Sequence, residues 1–205
     1  MFDVCTSCGE RLYEHRFSNE IALHICPECG HREAYRRHPL FVITGASGSG
    51  KSTICLPLAR RLQTATVLET DLFLGATELD ASNDYIDFRD YCLRVARDVG
   101  QSGKPVVLVG AATPGQYEKC QNSGFFRTIH YMALVCQNPI LEDRLRGRPH
   151  WRGMDTQGIA KMVEYNDWLK DRIEDNEYDV RLLDNSTMNI MRTVDTIIQW
   201  VESRM

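Results

Sequence analysis

No stretch of this 205-residue sequence approaches the roughly eighteen consecutive apolar residues that a membrane-crossing helix needs, which excludes a protein spanning a bilayer by helices. It lacks an excess of positive charge as well: 24 lysines and arginines stand against 28 aspartates and glutamates, for a formal net charge of -4. A chain so balanced does not coat a nucleic acid or a membrane surface with its whole exterior, so any anion it binds is met locally. No internal repeat and no low-complexity tract is present, which sets aside solenoids and disordered tails. The opening "MFDVCTSCGE" carries neither a basic segment nor an apolar run, and the expectation is a protein of the reducing cytoplasm. With 43% hydrophobic and 25% charged residues, the chain can build one sizeable core and a small appended module.

What is present begins with cysteine. Of eight, four fall in two Cys-x-x-Cys pairs, "CTSCGE" (Cys5, Cys8) and "CPECGH" (Cys26, Cys29), with seventeen residues between Cys8 and Cys26. Two such pairs in a reducing compartment read as four thiolate ligands of one metal, zinc ahead of iron or a dithiol redox pair. Gly9 and Gly30 follow the pairs, where the chain has to turn back so that backbone N–H groups face the sulfurs. The pattern resembles a zinc ribbon over residues 1–38. Between the pairs, Leu12 and Tyr13 precede a polar turn at Ser18-Asn19, and Ile21, Leu23 and Ile25 alternate as in a hairpin. So small a module needs its metal to fold. His24 and His31 are expected to be solvated or structural, not ligands. "HREAYRRH" at 31–38 adds basic residues that either touch nucleic acid or form a solvated linker, and with Tyr35 its only aromatic residue the expectation is a structural or protein-contact role.

Next comes "PLFVITGASGSGKST". Leu40, Phe41, Val42 and Ile43 form an apolar run typical of a buried parallel strand. Gly45, Gly50, Lys51 and Ser52 then match Gly-x-x-x-x-Gly-Lys-Ser, the loop whose backbone N–H groups converge on phosphate oxygens. The expected cradle is Gly45, Ala46, Ser47, Gly48, Ser49, Gly50, Lys51, Ser52 and Thr53, with a helix N-terminus aimed at the anion. The ligand is ATP or a similar nucleotide, with Lys51 on the outer phosphates and the Ser52 hydroxyl on magnesium. Pro57 falls inside that helix, where it removes a donor and is expected to kink the axis.

The remaining pattern alternates. A second strand in "TATVLET" is expected to end at Asp71. A helix follows with Phe88, Tyr91, Cys92, Val95 and Val99 inward, capped by Ser82 or Asn83 and ended near Gly100. "KPVVLVGAA" and "TIHYMALVC" are further strands. Asn138 caps a helix with Pro139 first and Gly147 as stop, and a long helix spans about Thr156 to Glu174 with Ile159, Met162, Val163, Leu169 and Ile173 inward. "DVRLLD" is the fifth strand, and Ser186 caps the last helix. Such alternation predicts an α/β, three-layer P-loop NTPase fold over residues 39–205, with a five-stranded, mostly parallel sheet. Ligands gather at the carboxyl ends of its strands, which puts Asp71, Gly110 to Pro114 and Asp184-Asn185 on one rim with the phosphate loop. There Asp71 is a general base, a holder of a magnesium water, or a turn-capping Asp, and Glu69 can share its role. Cys55, Cys92, Cys120 and Cys136 read as packing residues.

No Asn-Lys-x-Asp for guanine occurs, and the third strand ends in "VGAA" without the acid usual in ATP-driven motors. From about Pro39 onward the chain resembles the P-loop kinases of small metabolites, the nucleoside and nucleotide kinase group. The resemblance is carried by the phosphate loop, "LETDLF", "RLRGRPHWRG" and "LLDN"; bacterial proteins described as nucleoside kinases or AAA-family ATPases carry a similar "LRGRPHWRG". It implies that "RLRGRPHWRG" is a lid whose guanidiniums balance charge on the phosphoryl group in flight, with Arg148 and Arg152 inward and Arg144 and Arg146 at a helix end, where cations suit the dipole. Solvated arginines at a helix terminus are the plainer alternative. Arg89 and Arg94 either bind the acceptor or lie on a solvated face.

Three functions stand open on these residues. A kinase of a small polar metabolite would use Lys51, Asp71, Arg148 and Arg152. A nucleic-acid-associated NTPase would show a basic face joining Arg32, Arg36 and Arg37 to the lid. A regulatory nucleotide-binding module would contact a partner protein through its ribbon.

Overall fold

The computed structural model describes residues 3–12, 16–18, 22–171 and 179–205. Two sheets organise them. In the first, β1 (Arg16–Ser18), β2 (Leu23–Ile25) and β3 (Arg32–Ala34) pair antiparallel in that order. The expected hairpin is the β1–β2 pair; Tyr13, Asn19 and Ile21 lie outside the described residues. The stretch 31–38 is structural, as favoured, and not the solvated linker of the plainer alternative. Arg32–Ala34 pairs with β2, and Tyr35 is buried, its ring edge-on to Phe125 at 5.2 Å. A charged run can join a sheet because its backbone finds partners there while Arg32 and Ala34 stay exposed.

The second sheet contains β4 (Leu40–Gly45), β5 (Thr66–Glu69), β6 (Val106–Val109), β7 (Ile129–Val135) and β8 (Val180–Asp184) in the order β5-β6-β4-β7-β8, every neighbouring pair parallel. Alternate residues face opposite layers. Phe41, Ile43, Val107, Val109, Met132 and Leu134 pack on α1 (Lys51–Arg61) and α5 (Ile190–Glu202) through Ile54, Leu58, Val194, Ile197 and Trp200. Leu40, Val42, Val106, Leu108 and Tyr131 pack on α2 (Ile86–Gly100) through Cys92, Leu93 and Ala96. On the same side, α3 (Asn138–Arg146) and α4 (Thr156–Asp171) join through Leu141, Leu145 and Ile159, and Leu169 reaches Ala133 and Val135. Burial on both faces is why these strands read as unbroken apolar runs.

Several helix ends differ from expectation. The residue before α2 is Tyr85, not Ser82 or Asn83. The Ser82 N–H and hydroxyl both donate to Asp80 Oδ1 (2.8 and 2.7 Å), and Asn83 reaches forward to Asp87. Asn189 caps α5 by accepting the Arg192 N–H at 2.9 Å, because Asp184 already holds Ser186. Gln137 precedes α3, Asn138 is its first residue, and Gly147 ends it. Pro57 lies inside α1, which continues to Arg61. The expected end of α4 at Glu174, and Ile173 with it, lies outside the described residues.

The largest discrepancy concerns α2. Its buried face is Arg89, Cys92, Leu93, Ala96, Arg97 and Gly100, whereas Phe88, Tyr91, Val95 and Val99 are only half-buried. Two arginines occupy core positions because each has carboxylate or aromatic neighbours waiting for it. Cys92, Cys120 and Cys136 are buried packing residues as expected, and Cys55 is half-buried.

Candidate active site

The phosphate loop follows β4 at the centre of the sheet. Gly45, Gly48 and Gly50 all have positive φ (146°, 90° and 101°). A Cβ at Gly45 would sit 2.5 Å from the Leu134 carbonyl oxygen, and one at Gly48 2.9 Å from Leu141, so only glycine fits either place. Gly50 precedes α1 and no side chain caps the helix, which leaves its first N–H groups directed at the cavity above. Asn185, just past β8, donates to the Ser49 carbonyl at 2.7 Å and ties the loop to the end of that strand, two positions away in the sheet.

That cavity measures about 480 Å³ and is lined by Ser47, Gly48, Gly50, Lys51, Ser52 and Thr53 from the loop and α1. Gly45, Ala46 and Ser49 lie beneath it as buried support. Lys51 Nζ donates to the carbonyl oxygens of Gly45 (2.5 Å) and Ala46 (3.0 Å). Burial brings its pKa down to about 8; Asp71 works against that shift and Arg148 reinforces it. A cation so desolvated gains most from an anion placed beside it.

Asp71 lines the same cavity, but not as the end of a strand. The strand stops at Glu69, and residues Thr70–Phe73 form a 3-10 turn that sets Asp71, exposed, on the cavity wall. Glu69 is not among the lining residues, though its charge, like that of Asp71, reaches Lys51. The missing acid on the third strand also has a steric reason. A Cβ on Gly110 would meet Thr70 Oγ1 at 1.8 Å, so no side chain is tolerated where the motors carry their acid. The loop beyond is held by Ala112, whose carbonyl accepts from Thr44 Oγ1 (2.5 Å) and Tyr165 Oη (3.1 Å). Neither contact carries a sequence signal, because Thr44 and Tyr165 are far apart in the chain.

Opposite the loop stand Arg144, Arg148 and Arg152. The latter two were expected inward, and Arg152 belongs to a short 3-10 turn, His150–Arg152. Arg144 was assigned to a helix end, yet it also faces the cavity and donates to Asn185 Oδ1 at 3.2 Å. Only Arg146 turns away, to Glu142 at 3.1 Å on the exposed side of α3. An i, i+4 reading of α3 would have separated 144 from 146. Burial and the neighbouring Arg152 both lower the Arg148 pKa. The lining thus holds four cations and one carboxylate, a balance suited to a polyanion, and the glycine cradle and uncapped helix fit the phosphates of ATP. Ser52 and Asp71 line the cavity together and offer oxygen to magnesium.

Arg89 and Arg94 are not part of this lining. Arg89 is buried beside Asp84 (3.5 Å), and Arg94 pairs with Asp3 at 2.8 Å.

The four paired cysteines come together as expected. All four sulfurs lie within 4.8 Å of one another, with Cys5 Sγ to Cys29 Sγ 3.7 Å and Cys8 Sγ to Cys26 Sγ 3.9 Å. Sulfurs around a tetrahedral zinc with bonds near 2.3 Å are about 3.8 Å apart, so the set fits that ion. The two knuckles repeat one geometry. Gly9 N–H donates to Cys5 O (2.9 Å) and Gly30 N–H to Cys26 O (3.0 Å), with both glycines at positive φ. His24 is buried and stacked on Phe125, and His31 contacts Thr6, so neither stands in for a thiolate.

No family model matches the chain, and no curated protein sequence matches it. Solved structures do. A sugar kinase from a Janibacter species aligns over 82% of this chain and 95% of its own, at 15% identity and a TM-score of 0.59. A gluconokinase from Sinorhizobium meliloti aligns over 82% and 98%, at 18% identity and a TM-score of 0.53. A shikimate kinase from Bacteroides thetaiotaomicron aligns over 80% and 98%, at 19% identity and a TM-score of 0.52. The chain therefore has the fold of P-loop kinases of small metabolites, as its motifs imply. No helix among the described residues is long and apolar enough to cross a membrane.

Proposed function

We propose that this chain is a cytoplasmic, ATP-dependent phosphotransferase that moves the γ phosphate of ATP to a nucleoside, a nucleotide or a similar polar metabolite. The observation that carries the reading is the single carboxylate among the described lining residues, Asp71, in a lining otherwise charged by Lys51, Arg144, Arg148 and Arg152. In a site built only to hold a nucleotide, such a carboxylate serves the magnesium ion alone. A site that transfers a phosphoryl group to a hydroxyl needs one to receive the proton.

In this reading the loop N–H groups from Ser47 to Thr53 hold the phosphates, and Lys51 exchanges its carbonyl partners for phosphate oxygens. Asp71 accepts the acceptor proton as the acceptor oxygen bonds to the γ phosphorus and the bond to the bridging oxygen breaks, releasing ADP. Arg148 and Arg152 stabilise the charge spread over the moving group. Ser52 would hold a magnesium ion, which would supply neutralisation of the charge on the phosphates. Residues 1–38 form a zinc ribbon whose four cysteines hold the ion for structure.

The nucleic-acid reading is less well supported. Arg32 lies in β3, and Arg36 and Arg37 precede the first residue of β4, while the lid arginines stand over its last, with six residues or roughly 20 Å of strand between. The test is ADP formation from magnesium and ATP by the zinc-loaded protein against pools of nucleosides, nucleoside monophosphates, sugars and RNA. One small-molecule pool should stimulate turnover, and Asp71→Asn and Lys51→Ala should each remove the stimulation. Stimulation by RNA alone, or turnover indifferent to Asp71→Asn, would overturn the assignment.

A further inference from the structure

The cysteine cluster is joined to the kinase-like fold by a chain of charge-assisted contacts that the phosphotransferase reading neither uses nor requires. Two residues before Cys5, Asp3 accepts from Arg94 Nε and Nη2, both at 2.8 Å, and from Arg97 Nη2 at 3.1 Å. The Arg97 side chain has no exposed surface. Its other nitrogens reach Asp98 (2.8 Å) and Asn122 Oδ1 (2.9 Å), and Asn122 returns to α2 through two donations to Asp90, at 2.8 and 2.6 Å. The second knuckle converges on the same place. Two residues before Cys26, His24 stacks on Phe125 at 5.8 Å, and the Arg97 guanidinium lies 4.9 Å from the other partner of that stack, the Phe125 ring. Both residues that lead into the metal ligands thus end on Arg97 and Phe125.

We propose that the metal-loaded ribbon is a clamp on α2 and on the 3-10 turn Gln121–Phe125, so that metal occupancy sets the rigidity of that layer of the fold. The first partner of the ribbon is then the body of its own chain. The physical argument is short. A module of this size holds its shape only while the metal holds its four thiolates. Releasing the metal frees Asp3 and His24 together, and a fully buried guanidinium loses part of its compensation. The opposite face of the sheet, where α1 and α5 pack, has no such tie among the described residues and should not respond.

Hydrogen exchange read by mass spectrometry on the full zinc-loaded chain tests this, with and without a zinc chelator. Neither this readout nor the next involves phosphoryl transfer, so the clamp and the kinase reading can fail separately. Amides of α2 and of residues 121–126 should exchange at least tenfold faster after metal removal, while those of α1 and α5 change less than twofold. The variant Asp3→Asn should reproduce a smaller acceleration in the same peptides with one zinc per chain still present by elemental analysis. The inference is overturned by acceleration confined to residues 1–38, by equal loosening of both layers, by an Asp3→Asn protein indistinguishable from the parent at α2, or by a purified chain that holds no metal at the four cysteines.

Discussion

Two groups of arginines divide this molecule. Arg144, Arg148 and Arg152 face a cavity with no carboxylate partner among the described residues, whereas Arg89, Arg94 and Arg97 on α2 each lie within 3.5 Å of one. The same side chain does opposite work in the two places. On α2 the cations are neutralised in the folded chain, so they contribute to holding it together. Over the cavity they are left for an anion that arrives later, at the cost of mutual repulsion in its absence. Charge compensation, not residue type or local density, separates an arginine that stabilises from one that acts on a ligand.

The sharpest way to break that contrast is to remove charge from each group. Arg148→Ala combined with Arg152→Ala should lower kcat about a thousandfold, the scale of charge stabilisation in phosphoryl transfer, with the melting temperature held within 2 °C or so. Arg97→Ala should do the reverse. It removes a buried cation whose carboxylate partners retain some water, and should cost about 2–3 kcal/mol in urea unfolding while kcat per folded molecule stays within about threefold.

A pH series refines the same comparison. The Lys51 pKa stands near 8 in the free chain, and phosphates favour its charged form. Above pH 8 binding must therefore take up a proton, and ATP affinity should fall by up to about tenfold per pH unit, a slope readable by calorimetry in two buffers of different ionisation enthalpy. Affinity unchanged between pH 7 and 9.5 would show that Lys51 keeps its charge without a nucleotide. The smallest effect is expected of Arg146→Ala, whose exposed pair with Glu142 is worth less than about 0.5 kcal/mol, with turnover unaffected.

The parts of the site legible in the sequence are those whose chemistry is contained in a few consecutive residues. The phosphate loop is one, since Gly45, Gly48 and Gly50 all take positive φ within six consecutive residues. The cysteine pairs are another, each knuckle closing on itself through Cys5 and Gly9 or Cys26 and Gly30. Asp71 was legible as a rim residue, though not the 3-10 turn that directs it. What stayed hidden depends on residues far apart in the chain. Arg97 and Asp3 are separated by 94 positions, so the apolar pattern of α2 suggested a buried face offset by one residue from the real one. Arg144 likewise looks like an ordinary helix end until Asn185, 41 residues later, meets it. The strand in 32–34 was masked by its charges because its partners are backbone groups.

The contact between Thr70 and Gly110 has a consequence for how the chain can change. With Thr70 Oγ1 1.8 Å from where a Cβ at Gly110 would stand, Gly110 admits no side chain while Thr70 is in place. An acid could stand at the end of β6 only after Thr70 had been shortened, and that first substitution would alter the turn bearing Asp71 before any second carboxylate existed. The intermediate on such a route is worse than either end, so the two residues should be inherited as a pair, and descendants of this chain should keep their acid on the β5 side.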